Sequence, residues 1–166
     1  MNYKTRTLKH NLHIVKLFLT FVFFCIGTLH SFSQTITYIQ PMAFGEITPG
    51  TSGGTITIGN NGSLIGTTGT VIWLKGTRQP AIFNIRVTGN RTITAINFST
   101  ATLTRTGGGS ITLTFGTTNP APSFTLNNSN GRNTDVSVGG TLTIGNITSN
   151  PAGLYSGSFT VTAIQQ

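Results

Sequence analysis

The chain is 166 residues long, with 7% of them charged and a formal net charge of +8 from ten Lys and Arg against two acidic residues. Its three histidines (His10, His13 and His30) and its one cysteine (Cys25) all precede residue 34. The rest of the chain can therefore build neither a Ser-His-Asp nor a Cys-His machinery. It also cannot build a disulfide or a zinc site of the usual ligands.

The N-terminal stretch reads as a targeting signal. Lys4, Arg6, Lys9 and Lys16 form a basic region, residues 17–29 are apolar, and Ser31-Phe32-Ser33 offers small residues where a signal peptidase reads. The expectation is a signal peptide over 1–33, cleaved before Gln34. The apolar run is shorter than the roughly 20 residues that span a bilayer, so no stable membrane span is expected after cleavage. Twin arginines are absent, which points to the general secretory route and to the periplasm, cell surface or extracellular space. Cys25 lies inside the apolar run, and Val22-Phe23-Phe24 before it lacks the small residues of a lipid-attachment site.

Cleavage leaves 133 residues (166 − 33), a single domain over 34–166. A chain of that size buries somewhat over about 60% of its unfolded surface, enough for a core without staples. Six basic residues then face Glu46 and Asp135, a net +4. They are scattered along the sequence, as expected for a solvated surface. Attraction to anionic glycans is the functional alternative. Without a basic cluster or a recognisable motif, nucleic acid is not an expected partner.

In chain order, 34–40 alternates weakly, with Ile36 and Tyr38 on one face, and ends at Pro41. Residues 42–47 form a short second segment, closed by Thr48-Pro49-Gly50, a strong turn signal. Residues 55–58 form a strand, and Gly59-Asn60-Asn61-Gly62 a hairpin-type turn. Residues 70–75 contain Val71-Ile72-Trp73-Leu74, apolar on both faces, which predicts a strand buried on both sides or at a sheet junction. Trp73, the single tryptophan, reads as a core filler; an exposed Trp73 would instead suit stacking on a sugar. Residues 81–88 alternate cleanly, with Ala81, Phe83, Ile85 and Val87 inward. Residues 91–98 follow Gly89-Asn90, with Ile93, Ala95 and Asn97 opposing Thr94, Ile96 and Phe98. Leu103, Ile111, Leu113 and Phe115 continue across Gly107-Gly108-Gly109. Residues 119–132 read as a mobile segment anchored only by Phe124 and Leu126. The best-marked stretch is 136–164: Val136, Val138, Leu142 and Ile144 share a face, a Pro-Ala-Gly turn follows, and Tyr155, Phe159, Val161 and Ala163 share another.

No helical periodicity with caps occurs after the signal. Thr-rich, β-branched strands between frequent turns predict an all-β fold, an antiparallel Ig-like β-sandwich. One internal echo stands out: Gly53-Gly54-Thr55-Ile56-Thr57-Ile58-Gly59-Asn60 nearly repeats as Gly139-Gly140-Thr141-Leu142-Thr143-Ile144-Gly145-Asn146. Two similarly built sandwich strands account for it, with a β-solenoid as the minor alternative. Glu46 and Asp135 are placed as exposed turn residues rather than a catalytic pair, and they are too few for a typical calcium cage. No catalytic, cofactor-binding or metal-ligating residue is expected, and no enzymatic role.

Several ordered segments carry a resemblance. Phe44-Gly45-Glu46-Ile47-Thr48-Pro49-Gly50, Gly53-Gly54-Thr55-Ile56-Thr57-Ile58, Gln79-Pro80-Ala81-Ile82-Phe83, Val138-Gly139-Gly140-Thr141-Leu142 and the run from Pro151-Ala152-Gly153-Leu154-Tyr155 to Phe159-Thr160-Val161-Thr162 together resemble the bacterial domain-of-unknown-function family 4402. The resemblance implies an exported β-sandwich similar in outline to fimbrial subunits, and it supplies no catalytic residues. The expected function is that of a non-enzymatic structural or adhesive cell-surface protein, a fimbria-like subunit. A monomeric secreted glycan- or surface-binding module is the alternative. Expected partners are copies of the chain or other surface subunits and a periplasmic chaperone, or else surface glycans. The candidate subunit-joining surface is Ile36, Tyr38, Gly153, Phe159, Val161 and Ala163, with 34–40 either a candidate donor strand or, at least equally well, the domain's own first strand; Trp73 is the candidate for glycan stacking. A fimbrial subunit of this outline would carry a near-terminal tyrosine where Gln165 stands.

Overall fold

The computed structural model describes residues 33–166; all of the expected signal peptide except Ser33 lies outside the described residues. The described chain forms β1 (Gln34–Gln40), β2 (Glu46–Thr48), β3 (Gly54–Ile58), β4 (Leu64–Thr67), β5 (Ile72–Lys75) and β6 (Ala81–Val87). It continues with β7 (Arg91–Phe98), β8 (Ala101–Thr104), β9 (Ser110–Asn119), β10 (Phe124–Leu126), β11 (Asn133–Ile144) and β12 (Val161–Gln165). Every strand pairing is antiparallel. The architecture is an all-β antiparallel sandwich: a seven-stranded sheet, a three-stranded sheet in the order β10-β7-β12, and a β2-β5 ribbon.

The large sheet is built on β11. Its first half, from Asn133 to Val138, pairs with β6, and its second half, from Gly140 to Ile144, pairs with β3. Residues from both halves also pair with β9 on the other edge. A strand has two edges, so β6 and β3 share one edge of β11 and meet end to end at Gly139-Gly140. Glycine is required there. A Cβ on Gly139 would collide with the carbonyl of Ile58 and the backbone of Gly59, and one on Gly140 would press on Leu113 and the carbonyl of Thr114.

The two copies of the internal echo are neighbours in space. Gly54 pairs with Ile144, Ile56 with Leu142 and Ile58 with Gly140, so the repeated segments lie antiparallel about a local two-fold at Ile56 and Leu142. The glycines follow the same symmetry: a side chain on Gly53 would strike Ile144 and Gly145, just as one on Gly139 strikes Ile58 and Gly59. Alternation does the rest. Ile56, Ile58, Leu142 and Ile144 are buried on one face. Threonines line the other face in register, with Thr55, Thr143, Thr112 and Thr102 across four strands and Thr57, Thr141 and Thr114 beside them. The Thr57 and Thr141 hydroxyls lie 2.8 Å apart, a cross-strand pair of the kind that supports a sheet.

Two apolar clusters make the core. The first gathers Ile56, Ile58, Leu113, Leu142 and Ile144 with Phe44. The second gathers Phe83, Ile85, Val136 and Val138 from the large sheet with Ile93 and Leu126 from the small one. Each fully buried aliphatic of this kind contributes about 1.5–3 kcal/mol. Phe115 and Phe159 pack against both clusters; their rings lie 4.6 Å apart between centroids, and Phe98 stacks on Phe115 at 4.8 Å.

Two expectations are corrected, and a third segment carries more local structure than its composition suggests. In β7 Ile93 shares the core face with Ile96 and Phe98, the residues that alternation places opposite it, rather than with Ala95 and Asn97. Ala95 pairs with Ile164 and Ile93 with Gln165, so Thr94 is an extra residue; such a bulge switches the alternation. In β5 burial on both sides does not occur: Trp73, and Val71 just before the strand, face the core while Ile72 and Leu74 are more than half exposed, in a ribbon whose other strand is the three-residue β2. Residues 119–132, read as a mobile segment, hold β10 and the 3-10 turn Asn128–Asn130. Leu126 is fully buried, and Asn127 and Asn130 cap the turn reciprocally.

Replacing Gly139 with alanine should lower the unfolding free energy by about 2 kcal/mol or more, the range of mutations that force backbone displacement. Gly66 sits in β4 with open space where a Cβ would project, and Gly66→Ala should stay within about 0.5 kcal/mol of wild type. Urea denaturation of the two variants checks both values.

Candidate functional site

The site is a seam between two sheet edges. Among the described residues β1 pairs only with β6, and β12 only with β7. The hydrogen-bond phase shows which groups these strands turn outward. Thr88 N–H donates to the Ser33 carbonyl at 3.1 Å. Bonded pairs in an antiparallel ladder recur every second residue, so Thr35 and Thr37 face β6, and Ile36 and Tyr38 direct their N–H and C=O groups away from it. Likewise Ser99 N–H donates to the Thr160 carbonyl at 3.0 Å, so Thr162 and Ile164 face β7, and Val161 and Ala163 face outward.

These outward edges look at each other. The Gln34 side-chain amide donates to the Ala163 carbonyl at 3.2 Å, bridging the two strands where no backbone bond joins them. Below this bridge lies a cleft of about 700 Å³, with Ile36 and Tyr38 on one wall and residues 155–161 on the other. β1 and this far wall run antiparallel, since Gln34 meets Ala163 at one end and Tyr38 shares the cleft with residues nearer Tyr155. The base draws on both core clusters, through Phe44, Ala101 and Leu113 from the first and Ala81 and Phe83 from the second. None of the described residues lining it is charged.

The wall at 155–161 is fixed from behind. Ser156 and Thr104 exchange backbone hydrogen bonds of 2.9 and 3.0 Å, which hold the segment along the outer edge of β8. Gly157 lies so close to Thr102 and Leu103 that a Cβ would meet the Thr102 carbonyl. Tyr155 donates its hydroxyl to the Pro151 carbonyl at 2.9 Å. The segment thus begins beside the large sheet and ends, as β12, in the small one.

Of the six residues read from sequence as a joining surface, Ile36, Tyr38, Phe159 and Val161 line the cleft, and Ala163 holds the bridge at its end. Gly153 stands apart, in a turn with φ of 155° packed on the side chain of Arg105. The candidate donor strand, 34–40, is paired within its own sheet as β1. Tyr38 is 64% exposed. Trp73 packs against the first core cluster, and the Arg78 guanidinium covers one ring face at 4.0 Å. Glu46 forms an exposed ion pair with Lys75 at 3.7 Å, while Asp135 accepts from the Asn84 amide at 2.7 Å. Sequence reasoning missed Gln34 and Met42, the latter packed against both clusters. Neither carries a local signal, since both matter through partners far along the chain.

No group of three His, Cys, Asp or Glu side chains comes together among the described residues, and no helix there is long and apolar enough to cross a membrane. The fold and the seam together define an antiparallel β-sandwich with two edge strands flanking an apolar cleft. A family model described as "Domain of unknown function (DUF4402)" matches residues 34–164; the chain belongs to that family. No curated protein and no solved structure matches it.

Arg78→Ala should uncover one face of Trp73 and cost about 0.5–1 kcal/mol, the worth of a partly exposed cation–π contact. A red shift of the intrinsic tryptophan emission, together with a urea melt, measures both effects.

Proposed function

We propose that this chain is an exported, non-enzymatic structural or adhesive subunit of a bacterial cell surface, and that it works by contact with partner proteins through the cleft between β1 and the 155–161 segment. The observation that carries this reading is the pairing of two outward-facing strand edges with an uncharged apolar cleft at the junction of both core clusters. Exposed sheet edges beside apolar surface are a liability unless something covers them. The family resemblance and the basic, then apolar, N-terminal stretch support export. The two acidic side chains of the domain are each engaged elsewhere, Glu46 with Lys75 and Asp135 with Asn84, which supports a contact role over acid–base chemistry.

After cleavage before Gln34 the chain would contain no cysteine, so Tyr38→Cys installs a single reporter thiol at the mouth of the cleft. Expressed in its native host with the full N-terminal stretch, this variant should be labelled by a membrane-impermeant thiol reagent on intact cells. A bifunctional thiol-to-amine cross-linker should then shift it into higher-mass species. A chain that stays in the cytoplasm, or that reaches the surface and never cross-links from position 38, would overturn the reading.

A further inference from the structure

Resting on the surface-subunit reading, we propose that the cleft is a strand-acceptor groove: it takes an uncharged, extended segment of a partner protein, apolar at every second residue, inserted between β1 and the 157–163 stretch. The argument for this occupant is the form of the walls. Each flank offers backbone groups in strand phase, from Ile36 and Tyr38 on one side and from Val161 and the Ala163 N–H on the other, the Ala163 carbonyl being held by Gln34. Only another extended backbone answers two such ladders at once. The base between them is apolar, lined by Phe44, Phe83, Leu113 and Phe159, so the inserted strand must send apolar side chains inward at alternate positions. None of the described lining residues is charged, and a charged side chain there would be buried without a counter-ion.

The spacing agrees. Adjacent paired strands lie about 4.7–4.9 Å apart. Here the two edges are joined at one end by the reach of a glutamine side chain, Gln34 to the Ala163 carbonyl, rather than by backbone bonds. Because β1 and the far wall are antiparallel, the inserted strand would be antiparallel to one flank and parallel to the other. A compact protein surface could not enter a cleft walled on both sides. The chain's own 34–40 segment is already bound to β6, so a second copy is not the donor expected from the structure.

The probe is a capped synthetic peptide of about nine residues, a strand's length with margin, alternating Thr and Val. A peptide of the same composition with its valines grouped together is the control. Hydrogen exchange on the purified chain should slow at the amides of Ile36, Tyr38, Val161 and Ala163 with the alternating peptide and not with the control. Tyr38→Pro removes a cleft-facing N–H that β6 does not use, a position where an edge strand tolerates proline. It should keep the wild-type melting temperature and bind the peptide roughly fivefold to tenfold more weakly, the loss of one backbone hydrogen bond. Thr37→Pro removes the neighbouring N–H that faces β6 and should instead destabilise β1. Protection at other sites, equal binding of the grouped peptide, or unchanged affinity of Tyr38→Pro would each overturn the groove. If the peptide fails while the thiol at position 38 cross-links on cells, strand insertion falls and the surface-subunit reading stands; failure of both removes both. Higher-mass species consisting only of this chain would overturn the choice of a different donor.

Discussion

The fold depends on how closely backbones can approach at Gly139-Gly140. One strand, β11, serves β6 along its first half and β3 along its second, while β9 runs along the opposite edge. Two strands can meet end to end on one edge only if nothing projects at the junction. Any side chain at Gly139 would occupy the space of the Ile58 carbonyl. This constraint places β6 and β3 in one sheet, and so brings the two core clusters side by side. It also explains why the Gly-Gly pair occurs twice: the second copy, Gly53-Gly54, meets the other end of the same antiparallel pair.

The junction of the clusters is closed only in part. Phe83, Phe98, Phe115 and Phe159 form a connected aromatic group across it, with neighbouring centroids 4.6 to 6.3 Å apart. Offset and tilted geometries of this kind add to the burial itself. On one side the group is roofed by β11 and its neighbours. On the other the sandwich opens between β1 and β12, and Phe159 is shared between core and cleft wall. The residues that give the domain its cohesion therefore also form the floor of its apolar cleft. Natural sheets commonly protect such edges with lysine, proline or inward charges. The flanks here carry Thr, Ile, Tyr and Val instead, and a single glutamine side chain spans the gap.

Much of the fold is legible where the physics is local. Alternation in β6 names Ala81, Phe83, Ile85 and Val87, and all four are buried. Val136, Val138, Leu142 and Ile144 of β11 are likewise buried, and Tyr155, Phe159, Val161 and Ala163 pack against the core. Reading fails where geometry departs from period two. The extra residue Thr94 switches the face of β7, and nothing in Ile93-Thr94-Ala95-Ile96 marks a bulge. It fails again where a partner decides burial: β5 is as apolar as a central strand and is nevertheless covered on one side. In 119–132, asparagine-rich composition suggests a loop, yet Asn127 and Asn130 use their side chains to build a capped turn. The echo is visible, but its meaning, a self-complementary strand pair, needs the third dimension. The cleft is partly legible, since four of six candidate residues line it, while Gln34 owes its place to a contact 129 positions away.

The order of strands has a consequence for how the chain is made. Ile56 and Leu142, the centre of the local two-fold, are 86 positions apart (142 − 56), and β11 is the eleventh of the twelve strands among the described residues. The large sheet cannot acquire its organising member until most of the chain has been synthesised, and topologies dominated by such distant pairings fold slowly. In the interval β3 and β6 have no common neighbour, and their apolar faces have little to close upon. Until β11 is present, nothing joins β3 to β6. The glycine pair at 139–140 therefore acts as a late clasp, closing the large sheet only once both of its earlier strands exist.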